Sequence, residues 1–261
     1  IYFDEDGHEV FNNFQYCPSV GYTCYFDSQG YLYKDQTTYL DGQPYYLNAN
    51  GALEQNGWFR YANGRDYGYA ESDGCLINNK FAKDNQGRVV FYHWNGMVAR
   101  GLISDGLWYY SMDEGDGHYL GRFKAAGVAP SDTYQLQVLD LVNEERLSRN
   151  IAPLKLNEQV QQAAQVRAGE ISTVFDHIRP DGRSCFTALD EYVTDGYGSA
   201  GENIAAGQSS PQEVVNDWMN SPGHRANILK ESYTALGVGY YYGSGPYYCY
   251  WVQMFIGDRY W

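Results

Sequence analysis

The sequence predicts an α+β protein in two parts, an N-terminal solenoid of β-hairpin repeats followed by a C-terminal sheet flanked by helices. Glycines in turn-like contexts recur every 21–23 residues through the first half of the 261-residue chain. Tyrosine is unusually abundant at 27 residues, and 16 of these precede residue 129. After a small-residue segment at 124–131, apolar residues take a helical spacing. We therefore expect two domains, at residues 1–128 and 129–261.

The repeats of the first part are marked by six glycines that each follow a short polar turn and precede an apolar residue. These are Gly7, Gly30, Gly51, Gly74, Gly96 and Gly117. Asn-Gly and Asp-Gly between short alternating segments are typical of hairpin turns, because glycine accepts a positive φ without a Cβ clash. One hairpin cannot bury its own face, so neighbouring hairpins are expected to stack into a solenoid.

The second part has the periodicity of helices first and strands last. Its apolar spacing predicts four helices, at 133–149, 157–174, 210–219 and 224–230, and two strands, at 235–242 and 247–256. The two strands are separated by a glycine-rich turn at 243–246, so they form an antiparallel hairpin. This order predicts a sheet flanked by helices, with Trp218 and Trp251 in its core.

Composition excludes some classes of function. A formal net charge of −14 argues against nucleic acid as a partner, because phosphate binding needs a basic face. No run of about 18 apolar residues is present, so no transmembrane span is predicted. No basic start followed by an apolar core is present either, and we expect no signal peptide within the printed chain.

The first part, over about residues 1–125, resembles the cell-wall-binding repeats of Gram-positive surface proteins, the choline-binding and glucan-binding repeats. The segments that carry this resemblance are 41–58, from Asp-Gly-Gln-Pro-Tyr-Tyr to Gln-Asn-Gly-Trp, and 105–110. In that family, aromatic rings of adjacent hairpins box a choline or stack on sugars. The Gly-Trp that opens each family repeat occurs here at Trp58, whereas the equivalent positions elsewhere hold other residues.

The resemblance implies a set of aromatic residues for binding glycan or choline. They are Tyr45, Tyr46, Trp58, Tyr67, Tyr69, Trp94, Trp108, Tyr109 and Tyr110. Three interpretations stay open for the array: a stacked spacer whose aromatic residues are core, a binder of wall polysaccharide or teichoic acid, and a binder of choline.

The polar residues that could bind a metal or take part in catalysis lie in three segments of the second part, which we interpret as loops, at 177–183, 201–207 and 218–229. Two of the five histidines fall there, together with acidic residues. Two imidazoles can bind a divalent metal, and a histidine beside a carboxylate can act as a general base.

At these segments, residues 134–258 resemble a bacterial member of the CAP superfamily, the cysteine-rich secretory, antigen 5 and pathogenesis-related proteins. Four blocks match in order: His-x-x-Pro-Asp-Gly at 177–182, Gly-Glu-Asn-Ile-Ala at 201–205, Trp-Met-x-Ser-Pro-Gly-His-Arg-x-Asn-Ile-Leu at 218–229, and Tyr-Trp-Val-Gln-Met-Phe at 250–255. The resemblance implies a CAP-type α-β-α sandwich with an open cleft.

The family cleft presents two histidines and two acids. His177, Glu202 and His224 match these positions, whereas Ser221 stands where the family has its second acid. Asn203 and Arg225 are expected to support the cleft loops. The resemblance implies a divalent, zinc-like cation at His177 and His224, and the alternatives are a Ser–His–Glu hydrolytic site or side chains that only pin the loops through hydrogen bonds.

The five cysteines show no metal-binding spacing. We expect a disulfide between Cys17 and Cys24 within the first hairpin and one between Cys185 and Cys249. Cys75 is left over and is expected to pack in the aromatic stack as a small apolar residue.

Together these observations predict an extracellular protein, secreted or associated with the cell wall. The favoured function is binding: the array anchors to wall polysaccharide or teichoic acid, and the CAP cleft presents a site for a small ligand, a lipid or a protein. The alternative is a metal-dependent or Ser/His hydrolase that acts at the cell envelope.

Overall fold

The computed structural model describes residues 2–106, 108–124, 133–243 and 245–258. The chain divides into two compact units, Ile1–Ala126 and Gly127–Trp261. The boundary predicted near residue 128, and one residue of the turn predicted at 243–246, lie outside the described residues.

The first unit consists of short antiparallel strands. They are β1 (Asn13–Cys17), β2 (Tyr22–Phe26), β3 (Gln36–Leu40), β4 (Gln43–Leu47), β5 (Gly57–Arg60), β6 (Tyr67–Ala70), β7 (Lys80–Lys83), β8 (Val89–Tyr92), β9 (Gly101–Ser104), β10 (Trp108–Met112) and β11 (Tyr119–Lys124). Successive strands pair as the two-stranded sheets β1-β2, β3-β4, β5-β6 and β7-β8, and the last sheet has the order β11-β10-β9. The predicted hairpin repeat is confirmed.

Four of the recurring glycines, Gly30, Gly51, Gly74 and Gly96, do not lie at the tips of these hairpins. They lie in a second tight turn that follows each hairpin, where the chain reverses to form an isolated bridge such as Leu47 with Leu53 or Ala70 with Leu76. Gly7 lies in a similar turn before β1, and Gly117 lies in the turn that joins β10 to β11. The hairpin tips lie elsewhere, as at Asp41 and Gly42, where both residues have positive φ. The repeat period found in the sequence is therefore that of the turns between hairpins.

From Gly30 onward, each of the recurring glycines also packs onto the preceding repeat, whereas a Cβ on Gly7 would meet no atom within 4 Å. A Cβ on Gly51 would lie 2.9 Å from Leu32 Cδ2, and one on Gly96 would lie 2.7 Å from Leu76 Cδ1. Hydrogen bonds link the repeats as well, for example from the Leu76 amide to the Pro44 carbonyl at 2.9 Å. Glycine is therefore required at these positions for two reasons. Its backbone is left-handed (φ +77° to +86°), and the neighbouring repeat leaves no space for a Cβ atom.

The second unit has four strands and five helices in its described residues. The helices are α1 (Tyr134–Leu147), α2 (Glu158–Ile171), α3 (Thr187–Tyr192), α4 (Pro211–Asn220) and α5 (Pro222–Ile228), and the strands are β12 (Lys155–Leu156), β13 (Ser199–Ala206), β14 (Ala235–Tyr242) and β15 (Cys249–Gly257). The sheet order is β12-β14-β15-β13, with β15 antiparallel to both of its neighbours.

Both faces of this sheet are covered. On one face, apolar residues of α2 and α3 pack against β13 and β15. On the other, α1, α4 and α5 contribute a core that includes the fully buried Trp218 and Trp251. The predicted α-β-α sandwich and the predicted core position of both tryptophans are confirmed.

Several features of this unit differ from the prediction. Most of the predicted loop 218–229 is helical, since it comprises the end of α4 and the whole of α5. The segment 201–207 is not a loop, because its residues through Ala206 form the edge strand β13. Its Gly-Glu-Asn start hid the strand, since these residues are uncommon in strand interiors. Helix α3 was not predicted, because six residues are too few to show a helical period.

Helix α2 lies directly on β14. Gly237 and Gly239 allow this approach, because a Cβ on either would meet the helix backbone at Val160 or Ala164. Gln161 then bonds the backbone of Val238, accepting from its amide at 2.8 Å and donating to its carbonyl at 2.5 Å. Gln165 bonds the backbone of Tyr240 in the same way. The helix thereby satisfies backbone groups of β14 beyond the two-residue pairing with β12.

The fully buried Arg146 of α1 holds the loops at one end of the unit. Its guanidinium donates to backbone carbonyls of two separate segments, including Ala152 at 2.8 Å and Ile228 at 2.7 Å. Burial lowers the pKa of Arg146 to about 10. The side chain therefore acts as a multiple hydrogen-bond donor that replaces missing backbone partners.

All five cysteines are free thiols in this structure, so the two predicted disulfides are wrong. Cys17 and Cys24 lie in one buried cluster, and burial raises the pKa of the Cys24 thiol to about 12. Cys185 and Cys249 lie far apart. Cys249 begins β15, five residues and about 17 Å of strand before Met254, whose partner Glu202 is the neighbour of Cys185.

Cys75 does not pack as an apolar residue within the aromatic stack. It is half-buried, and its sulfur lies 3.6 Å from Gln43 Oε1 and 3.7 Å from the Leu76 carbonyl. Separately, the described residues contain no helix with the length and apolar character that a membrane crossing requires.

The stacking of the repeats predicts the cost of adding a methyl group at Gly96. We expect Gly96→Ala to lower the free energy of unfolding by about 2–4 kcal/mol, combining about 1–2 kcal/mol for the left-handed backbone with overpacking against Leu76. Gly42→Ala is the matched control, since Gly42 has φ +77° but no atom within 4 Å of its Cβ position. Urea denaturation measures both, and equal losses would contradict the packing argument.

Candidate functional site

The centre of the site is a hydrogen bond between His177 and Glu202. His177 follows α2 in a loop whose backbone is fixed by the Cys185 amide, which donates to the His177 carbonyl at 3.0 Å. Glu202 lies in β13 with its side chain 1% exposed, and its Oε1 is 2.8 Å from His177 Nδ1. The imidazole is 54% exposed, so the pair joins a buried carboxylate to a ring that solvent reaches.

Arg167 of α2 pairs with the other side of the same carboxylate. Its Nε donates to Glu202 Oε2 at 2.8 Å, and the Arg167 side chain is fully buried. Arg167 also donates to the carbonyl of Asp176, the residue before His177, at 2.7 Å. Arg167 therefore fixes both the carboxylate and the loop that carries the imidazole.

The ion pair extends away from His177 as a series of alternating charges. Glu170 binds Arg167 at 2.7 Å and Arg179 at 2.7 Å, and Glu191 binds Arg179 at 2.8 Å and Arg183 at 2.9 Å. Each buried charge in this series has a partner of opposite sign, which is the condition under which charges are tolerated in a protein interior.

The two histidines are shifted in opposite directions. The hydrogen bond that His177 donates to the Glu202 carboxylate raises the pKa of His177 above its ordinary value. Burial lowers the pKa of His224, and the positive charge of His177 lowers it further. Over an interval near neutral pH, His177 is therefore cationic while His224 is neutral.

A second cluster of hydrogen bonds holds α5, the helix that carries His224. Asn203 Nδ2 donates to the His224 carbonyl at 3.1 Å and to Gln253 Oε1 at 3.0 Å. Asn227 of α5 donates to Asn203 Oδ1 at 2.9 Å. Asn203 and Gln253 are both completely buried, so this amide network fixes the backbone of α5 against the sheet. The predicted role of Asn203 in supporting the cleft loops stays a prediction.

Ser221 and Arg225 make fewer contacts at the site than the sequence predicted. Ser221 ends α4, and in the described residues its hydroxyl forms no hydrogen bond with either imidazole. Arg225 is exposed and makes no ion pair in the part of the chain that the structure describes. A serine nucleophile needs an adjacent base, so the described residues do not form a Ser–His–Glu triad.

A group of side chains that can hold a metal ion does occur at the site, but it is not the predicted histidine pair. Single ligand atoms of His177, Cys185 and Glu202 all lie within 4.8 Å of one another. Burial raises the pKa of the Cys185 thiol to about 12, which disfavours the thiolate that a metal would need.

Sequence reasoning missed several residues of this site. They are Arg167, Glu170, Cys185, Asn227 and Gln253. Arg167 and Glu170 are three residues apart on α2, so an ion pair between them could have been expected, but their link to Glu202 crosses 35 positions. Only the packing of α2 against β13 brings them to the site.

In the hairpin unit, the predicted aromatic residues divide by burial. Tyr46 and Tyr110 are 2% and 5% exposed and belong to the core, so they were wrongly included as ligand-binding residues. Tyr45 and Tyr109 are half-buried, and each contacts the ring of a phenylalanine.

Trp58, Tyr67 and Tyr69 form one half-buried cluster, with Trp58 5.2 Å from Tyr69 and 5.7 Å from Tyr67 between ring centroids. Trp94 is 61% exposed and stacks on Tyr39, itself 42% exposed, at 5.7 Å and 23°. The ring of Trp108 is already covered by a cation of the chain, since Arg122 lies 3.8 Å from its centroid.

A four-stranded sheet between two helical layers, with a His–Glu pair at its edge strand, has the architecture implied by the CAP resemblance. Residues 139–255 match the family model "CAP: Cysteine-rich secretory protein family". The chain thus contains a CAP domain, as its four sequence blocks predicted.

Similar proteins are found for each part of the chain. The uncharacterized protein YkwD of Bacillus subtilis (strain 168) is 41% identical over 133 residues, which cover 49% of this chain and 50% of that protein. The chain thus spans half the length of this relative.

Two solved structures match parts of the chain at low TM-scores. An extracellular protein containing an SCP domain from Bacillus anthracis str. Ames has a TM-score of 0.44 at 16% identity, covering 85% of this chain and 88% of that one. The choline-binding domain of CbpL from Streptococcus pneumoniae has a TM-score of 0.34 at 24% identity, covering 46% of this chain and 62% of that one.

The opposite pKa shifts of the two histidines predict the order of their titration. We expect His177 to titrate above and His224 below the ordinary imidazole value in an NMR pH titration. Glu202→Gln should lower the pKa of His177, because the amide cannot stabilise the imidazolium. The wild-type chain measured under the same conditions is the control for this variant.

The same pKa shifts predict how the stability of the fold depends on pH. The raised pKa of His177 means that its pair with Glu202 stabilises the fold below the ordinary imidazole pKa, and this contribution is lost as pH rises through the raised value. The lowered pKa of His224 acts oppositely, so protonating it on acidification costs stability. An unshifted His177 in the wild-type chain would contradict the geometry.

Proposed function

We propose that this chain is an extracellular binding protein of the cell envelope, anchored through its hairpin repeats to wall polysaccharide or teichoic acid. The observation that carries the proposal is the exposed, stacked pair of Tyr39 and Trp94. Large aromatic rings are costly to leave in water, and paired exposed rings offer flat faces on which sugar rings stack. The similarity of the repeats to choline-binding and glucan-binding sequences supports an envelope polymer as the partner.

The CAP domain is proposed to present a binding site rather than a catalytic one. Both oxygens of Glu202 are engaged, one by His177 and the other by Arg167. The Ser221 hydroxyl lacks a base among the described residues. A ligand of this site, whether a small molecule, a lipid or a protein, therefore meets the exposed imidazole of His177 beside a fixed ion-pair series.

We retain His177 and His224 as the proposed ligands of a divalent, zinc-like cation. In the described residues, neither His177 Nε2 nor the ring of His224 has a hydrogen-bond partner. Glu202 holds the other ring nitrogen of His177, as a carboxylate commonly does at a metal-bound histidine. Two protein ligands leave the rest of the coordination sphere to water or to the partner.

The anchoring proposal is tested by retention of the full chain on purified cell walls. We expect Tyr39→Ala and Trp94→Ala each to weaken retention about tenfold, because each removes half of a stacked ring surface. Tyr242→Ala is the matched control, since Tyr242 is 68% exposed but lies in the CAP domain. Retention that is unaffected by both array variants, or absent in the wild type, would contradict the proposal.

The hydrolase alternative is favoured by one observation, the 2.8 Å hydrogen bond that orients His177 as a base or acid. It is tested with labelled casein and with wall suspensions as substrates. Our proposal predicts no activity that is lost both in His177→Ala and on chelation with EDTA. If such an activity is found and Arg225→Ala retains it, the protein is an enzyme.

A further inference from the structure

A cavity of about 340 Å³ opens in the hairpin unit beside Trp58. Three segments that are distant in sequence line it: the hairpin β5-β6, the turn at 84–88, and the turn at 113–118. This volume lies within the range of small-molecule sites, about 300–1,000 Å³. It is also separate from the exposed pair of Tyr39 and Trp94, which does not line it.

Hydrogen bonds and ion pairs hold the walls of this cavity in place. The Tyr67 hydroxyl donates to the Asp116 carbonyl at 2.8 Å across 49 positions. Arg88 bridges two carboxylates, Asp84 at 2.6 Å and Asp116 at 2.8 Å, and Asp84 is 5% exposed. A site whose walls are fixed before binding loses less conformational entropy when it is filled.

The lining combines a flat aromatic wall with groups that can form hydrogen bonds. Trp58 and Tyr67 provide the aromatic wall. The exposed side-chain amides of Asn85 and Gln86 form no hydrogen bond with other described residues, so both are available to a ligand. Arg60 donates to the Gly64 carbonyl at 3.2 Å, and its other N–H groups remain available.

The charges of the lining restrict the ligand. Arg60 and Arg88 are cationic, and Asp116 is anionic, because its bonds to His118 and Arg88 hold the pKa of this carboxyl well below its usual range. A quaternary ammonium would face the guanidinium groups, and a carboxylate or phosphate would face Asp116. A neutral ring with several hydroxyls can donate to Asp116 and accept from Arg60 at once.

We propose that this cavity binds one neutral sugar residue of an envelope polysaccharide, its ring stacked on Trp58 and its hydroxyls bonded to the polar side chains, and that it excludes choline. The proposal rests on the proposed anchoring function and names the chemical class of the ligand. Choline is unsuited because its cationic group carries no N–H for Asp116 and is repelled by Arg60.

Calorimetric titration of the full chain tests this proposal with three probes: a neutral glucan oligosaccharide, choline chloride and an oligogalacturonate. We expect binding of the neutral oligosaccharide alone. Asn85→Ala and Gln86→Ala should each weaken it about three- to tenfold through the lost hydrogen bonds, without affecting folding, since both side chains are exposed. Tyr31→Ala, which removes a 62% exposed ring of the same unit outside the cavity, should bind as the wild type does.

The outcomes separate this inference from the anchoring proposal. Binding of choline or oligogalacturonate that Gln86→Ala weakens would overturn the neutral-sugar assignment. Suppose that cell walls retain the chain but the glucan does not bind, or binds equally well to Asn85→Ala and Gln86→Ala. Either result would overturn the cavity assignment and leave the anchoring proposal intact. Cavity-dependent binding of the glucan by a chain that walls do not retain would support the cavity and overturn anchoring.

Discussion

The buried carboxylate of Glu202 imposes the constraint on which the site in the CAP domain depends. An unpaired buried charge costs several kcal/mol at least, so the strand that carries Glu202 folds only with a cation against it. Arg167 supplies that cation from α2, and the close contact of α2 with β14 at Gly237 and Gly239 fixes where α2 lies. The position of His177 follows, because Arg167 also holds the loop that precedes it.

The hairpin unit satisfies a different constraint, the small apolar area of each hairpin. Successive repeats therefore stack: from Gly30 onward, each repeat packs a glycine turn against an apolar side chain of the repeat before it. Aromatic side chains supply most of the remaining core, as the contact of Tyr46 with Phe59 shows at 5.0 Å. Rings beyond those needed for this core remain at the surface or around the cavity beside Trp58, which is why both locations bear on binding.

The two units therefore offer different chemistry. The hairpin unit has aromatic faces and hydrogen-bonding groups of mixed charge, which suit a neutral polymer. The CAP domain has an imidazole whose pKa is raised by its hydrogen bond to Glu202, so a base stronger than an ordinary histidine is available there, but no activated nucleophile is assembled among the described residues. Binding accounts for both sites with the side chains present, whereas hydrolysis needs a further group.

The sequence alone determined the features that depend on local patterns. The glycine period predicted the hairpin array, helical periodicity predicted α1, α2, α4 and α5, and four motif blocks identified the CAP domain. Prediction from the sequence failed where the structure depends on distant residues. The strand β13 has a composition typical of a loop. Whether Cys185 and Cys249 can bond depends on where two distant segments lie.

The difference between what the sequence determined and what the tertiary structure decided is clearest at the candidate site. His177 and Glu202 could be named from their motifs, because the motif residues themselves carry the chemistry. The partnership of Glu202 with Arg167, the hydrogen bond by which Asn203 holds the backbone of His224, and the cavity lined by Trp58 and Asp116 were decided by tertiary structure alone. Each depends on which side chains meet across long stretches of chain, and no spacing in the sequence encodes those meetings.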